Sequence, residues 1–78
     1  MIKITYSDGT YRTTVIESGE ISVRDFFASK GIQIENKDVT VNMMTVRPSE
    51  YDNLISTFGN VAESGTATLI AMGRKDNA

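Results

Sequence analysis

The chain has 78 residues, 40% hydrophobic and 23% charged, and its ten acidic and eight basic side chains leave a net charge of −2. This suffices for one domain with a modest core and argues against a large enclosed pocket. Cysteine and histidine are both absent, which excludes a disulfide framework, thiolate chemistry, soft or imidazole metal sites and histidine-based triads.

The charges are interspersed along the chain, whereas a dedicated nucleic-acid binder gathers Lys and Arg on one surface. No stretch approaches the roughly 20 apolar residues of a membrane helix. Met1-Ile2-Lys3-Ile4 runs directly into a strand pattern. Neither secretion nor membrane insertion is therefore expected, and the cytoplasm is the expected location.

Residues 2–7 alternate, with Ile2, Ile4 and Tyr6 on one face and Lys3, Thr5 and Ser7 on the other. Asp8-Gly9 suits a two-residue type I′ hairpin turn, and a second strand is expected from Thr10 to about Glu17. A two-residue loop sets Tyr6 opposite Tyr11, Ile4 opposite Thr13 and Ile2 opposite Val15.

The stretch from Ile21 to Ile32 predicts a helix over about 22–30 with both ends marked. Ser22 is a good N-cap with Asp25 three residues on, and Ile21 and Phe26 stand at the positions of a hydrophobic staple. Gly31 suits the left-handed residue after the helix, with Ile32 placed to close a Schellman motif against Phe27. Val23, Phe26 and Phe27 share one face at i, i+3, i+4 and are expected to pack on a flat partner.

After a polar connection from Gln33 to Asp38, Val39 to Val46 reads as a third strand, with Val39, Val41 and Met43 inward. Pro48 and Glu50 suit the start of a second helix carrying Tyr51, Leu54, Ile55 and Phe58 at i, i+3, i+4, i+7, closed by Gly59. Asn60 to Gly65 is expected to be a loop. A last strand from Thr66 to Met72 leads into the polar tail 74–78, outside a single domain over 1–73.

The predicted order is β-β-α-β-α-β, an α+β fold with a four-stranded mixed sheet in the order 2-1-4-3 and the two terminal strands parallel at its centre. That order, together with the Ser22-Val23-Arg24-Asp25-Phe26 helix start, resembles the β-grasp fold of ubiquitin-like proteins. Val41-Asn42 and the final Gly65-Thr66-Ala67-Thr68-Leu69-Ile70 strand are similar to the small bacterial sulfur-carrier branch. The resemblance implies a ubiquitin-like or carrier protein acting through a processed C-terminus. Such carriers end in Gly-Gly, and here Met72 stands where the second glycine would be, before a lone Gly73.

Reactive constellations are sparse, and no catalytic, metal-binding or cofactor-binding residue, no cofactor and no small-molecule substrate is expected. Glu17 with Glu20 and Glu50 with Asp52 are acidic pairs, read as solvated charges because a hard cation needs several convergent oxygens. Ser29-Lys30 and Arg47-Pro48-Ser49 read as helix punctuation. Tyr6 and Tyr11 lie on the opposite face from Lys3 and Arg12, which argues for a packed aromatic pair over a stacking platform.

The strongest functional signal is apolar side chains on the face away from the helix. With Val41 and Leu69 inward, Met44 and Val46 on the third strand and Ile70 and Met72 on the last point outward, with Asn42 at the rim. Adjacent apolar residues that include adaptable methionines form a binding surface. The opposite phase, with Thr68, Ile70 and Met72 inward, leaves the smaller Ala67, Leu69 and Ala71 outside. The expectation is a non-catalytic interaction module whose partner is another protein or a second copy. In ubiquitin-like proteins the main recognition patch lies on the same strands. The carrier and a nucleic-acid-binding regulator are the alternatives.

Overall fold

The computed structural model describes residues 1–73. They form a mixed α+β fold with one mixed sheet. The strands are β1 (Ile2–Ser7), β2 (Arg12–Glu17), β3 (Lys37–Val41), β4 (Met44–Val46) and β5 (Thr66–Gly73), and the helices are α1 (Val23–Ser29) and α2 (Val61–Ser64). The sheet order is β2-β1-β5-β3-β4, five strands rather than the four expected, with β1 and β5 parallel at the centre. This arrangement is compatible with a β-grasp-like fold. The expected tail 74–78 lies outside the described residues.

Local chemistry explains α1. Ser22 accepts from the Asp25 N–H at 3.0 Å, satisfying one of the donors a helix start leaves free. At the other end Ile32 N–H donates to the Phe27 carbonyl at 2.9 Å and Gly31 N–H to that of Ala28 at 3.0 Å, the two bonds of a Schellman motif. Gly31 supplies the positive φ of 74° that the motif requires. Val23, Phe26 and Phe27 are fully buried against Ile4, Val39, Val41, Leu69 and Ala71. Tyr6 and Phe26 meet edge to face with ring centroids 5.3 Å apart.

The first hairpin keeps its faces but changes its register. Tyr6 is opposite Thr13, Ile4 opposite Val15 and Ile2 opposite Glu17, with Asp8 to Tyr11 forming the connection. Side chains inside the turn explain the longer loop: Ser7 Oγ accepts from Gly9 N–H and Asp8 Oδ1 from Thr10 N–H, each at 3.0 Å. The slip is two residues, so the period of the strand leaves the same side chains inward. Tyr11 alone is displaced, out of the expected tyrosine pair and to 79% exposure.

The predicted helix after Pro48 is replaced by 3-10 turns at Pro48–Glu50 and Ile55–Thr57. The segment between them lies beside the start of α1. Its Asn53 and Tyr51 carbonyls accept from Val23 N–H at 3.2 Å and Arg24 N–H at 2.9 Å, and Ile55 N–H donates to the Ile21 carbonyl at 2.9 Å. Those α1 amides have no partner within their own helix, and serving them overrides a 3.6-residue apolar pattern. Tyr51 and Ile55 are core residues, while Leu54 faces water. The expected loop before β5 contains α2, closed by Gly65 at φ 70°.

Candidate functional site

The third strand is where the expected site changes most. Asn42 and Met43 have φ of 49° and 69°, a two-residue turn with both residues left-handed. The chain reverses there, and Val41 pairs with Met44 and Val39 with Val46. Opposed residues share a face, so Met44 and Val46 lie on the helix side rather than outward. Val46 is 3% exposed and belongs to the core. Met44 is 57% exposed at the core's margin, and its Sδ lies over Gly59, 3.3 Å from where a Cβ would stand. Met43, expected inward, is at the tip of the turn and 93% exposed.

On β5 the alternation is regular. Ala67, Leu69 and Ala71 are buried against α1, and Thr68, Ile70 and Met72 take the open face, with Met72 54% exposed. Ile70 is opposite Thr40 on β3 and Ser7 on β1. It sits between two shallow depressions. One is shared with Arg12, Asn42, Met43 and Thr68, the other with Asp38, Thr40 and Met72. The structure thus brings Ile70 and Met72 together and adds Met43, while Met44 and Val46 are elsewhere. A Met at the second position of a two-residue turn carries no sequence signal for a reversal, and every later side chain on that segment inherits the changed phase.

Asn42, expected at the rim, is half-buried and locks the turn to β5. Its N–H donates to the Thr68 carbonyl and its Oδ1 accepts from Thr68 N–H, both at 2.8 Å, while Nδ2 donates to Asn60 Oδ1 at 3.1 Å. Elsewhere the open face carries hydroxyls beside Lys3, Arg12 and the exposed Ile16. Thr5 and Thr14 bond through their Oγ1 atoms at 3.0 Å.

The acidic residues weighed as cation ligands have other partners. Glu17 accepts from Lys30 Nζ, Glu20 from Ser56 Oγ at 3.1 Å, Glu50 from Arg47 N–H at 3.0 Å and Asp52 from Arg24 Nε at 3.0 Å. Lys30 Nζ also stands 5.3 Å from the Phe26 ring centroid and 5.8 Å from that of Tyr6. Ser29 Oγ donates to the Phe26 carbonyl at 2.7 Å. Among the described residues no group of three or more acidic side chains could hold a metal ion, and no helix is long and apolar enough to cross a membrane.

Comparison of the chain with protein-family models, curated proteins and solved structures returns no match.

Proposed function

We propose that this protein is a non-catalytic interaction module of ubiquitin-like β-grasp type, which binds another polypeptide on the open face of β3 and β5. One observation carries the reading: Ile70 is shared by two adjoining depressions and is flanked by the exposed thioethers of Met72 and Met43. Thioethers adapt to varied apolar shapes, and surrounding threonines such as Thr40 and Thr68 offer hydroxyls at low desolvation cost. The sheet order β2-β1-β5-β3-β4 supports the β-grasp assignment. The absence of His and Cys from the chain supports binding over catalysis.

The carrier alternative requires a free, threadable terminus. Gly73 is paired with Lys37 in the β3–β5 ladder, so a chain ended there would hold its carboxylate on a strand residue, which favours the face reading.

Quantitative affinity capture with wild type, Ile70→Ser and Met72→Ser tests the proposal. Partners retained by wild type are expected to fall at least tenfold with Ile70→Ser, while circular dichroism and the melting temperature change little. Equal retention by a folded Ile70→Ser protein sinks the idea, and so does loss of the fold in both variants.

A further inference from the structure

The two edges of the sheet are unlike. β4 has three residues and is followed at once by Arg47-Pro48, the kind of short, proline-ended edge that resists further pairing. β2 has six residues, Arg-Thr-Thr-Val-Ile-Glu, with neither proline nor lysine and an unbroken register with β1. Among the described residues it pairs with β1 alone.

Its free hydrogen-bonding groups can be assigned. Lys3 N–H donates to the Gly65 carbonyl at 3.0 Å, so the backbone groups of Lys3, Thr5 and Ser7 face β5 and those of Ile2, Ile4 and Tyr6 face β2. Thr13, Val15 and Glu17, opposite the latter, therefore spend their amides on β1. Arg12, Thr14 and Ile16 present theirs to the open edge.

We propose that this edge receives the β2 strand of a second copy, antiparallel, about a two-fold axis normal to the sheet at Thr14. This lies beyond the open-face reading and uses the strand edge, with Arg12 common to the two surfaces. An antiparallel ladder joins only residues whose amides face one another. Centring on Thr14 sets Thr14 against itself and Arg12 against Ile16 of the second copy, so each outward amide in the strand meets an outward amide. The segment is self-complementary in side chains as well. The Arg12 methylenes lie along Ile16, which is 70% exposed in the single chain. Thr13 meets Val15 of the second copy, Tyr11 meets Glu17, and no like charges are directly opposed. Both open faces then share one side of a continuous sheet, an isologous arrangement.

A strand-edge contact is small, so association is expected over about 10 μM to 1 mM, where interfaces under about 1,200 Å² operate. In sedimentation equilibrium the wild-type mass should rise from 8.6 kDa toward twice that value. Thr14→Lys, which sets two cations across the axis, should stay at one chain while remaining folded, its melting temperature lowered only slightly by loss of the exposed bond to Thr5. Register is tested separately, since the chain has no cysteine. Thr14→Cys should cross-link on mild oxidation at least tenfold faster than Arg12→Cys, whose copies would lie about 13 Å apart along the strands. The proposal is overturned by a wild type that remains one chain throughout, as expected if the edge serves a different protein's strand. Equal association of Thr14→Lys, or equal cross-linking of the two cysteine variants, overturns it too.

Discussion

Met43 occupies a left-handed backbone position that a side chain reaches at a cost of about 1–2 kcal/mol, and it does so while almost wholly exposed. Met43→Gly is expected to raise stability by about 1 kcal/mol, or roughly 4–8 °C in melting temperature. A thermal melt checks the gain, and partner capture should fall if the thioether belongs to the binding face. Asn42→Ala should act oppositely. It leaves Thr68 N–H without its side-chain acceptor and costs about 1–3 kcal/mol in urea unfolding. Asp8 provides a titrating counterpart. The Thr10 N–H that its carboxylate accepts holds its pKa below the ordinary 3.8. A group lowered in the folded state contributes stability that is complete above its unfolded pKa and fades as pH falls through the folded one. Unfolding midpoints measured below pH 4 should therefore decline less steeply for Asp8→Asn than for wild type.

Among the elements, α1 was legible from sequence because each determinant is local: a Ser22 hydroxyl three residues from the amide it accepts, a glycine where φ must be positive, and Phe26 and Phe27 on one stripe. Ser22→Ala should cost about 1 kcal/mol by chemical denaturation. The segment after Pro48 departs from the helix its spacing predicts because its backbone answers amides on α1, a demand from about 30 residues away that leaves no trace in its own apolar spacing. The proposed binding face was half legible for a related reason. Ile70 and Met72 follow from the period of one uninterrupted strand, whereas Val46 and Met43 depend on a turn whose second residue is methionine where glycine is the usual signal. Val46→Ser is accordingly expected to destabilise the fold by about 2–4 kcal/mol, while Ile70→Ser leaves it nearly intact, a contrast two denaturation curves would expose.

At the scale of the whole molecule, α1 covers one face of a single sheet, and the margin is narrow. A domain of this length has about 4–12 kcal/mol of stability in hand. Phe27→Ala, which opens a cavity beneath α1 at a cost of about 3–5 kcal/mol, should remove a large share of that stability, read as a drop in the urea midpoint followed by near-ultraviolet circular dichroism. The parallel pairing of β1 with β5 has a further consequence in time. Among the described residues the two central neighbours are the first and the last strands in the order of synthesis, and β5 alone joins the β1–β2 hairpin to β3 and β4. Until β5 clears the ribosome the hairpin and α1 can form only loosely, with the inner edges of β1 and β3 both open. Closure of the sheet is therefore gated by β5, and from the completion of β3 until β5 pairs, two strand edges stand open that the folded protein keeps closed.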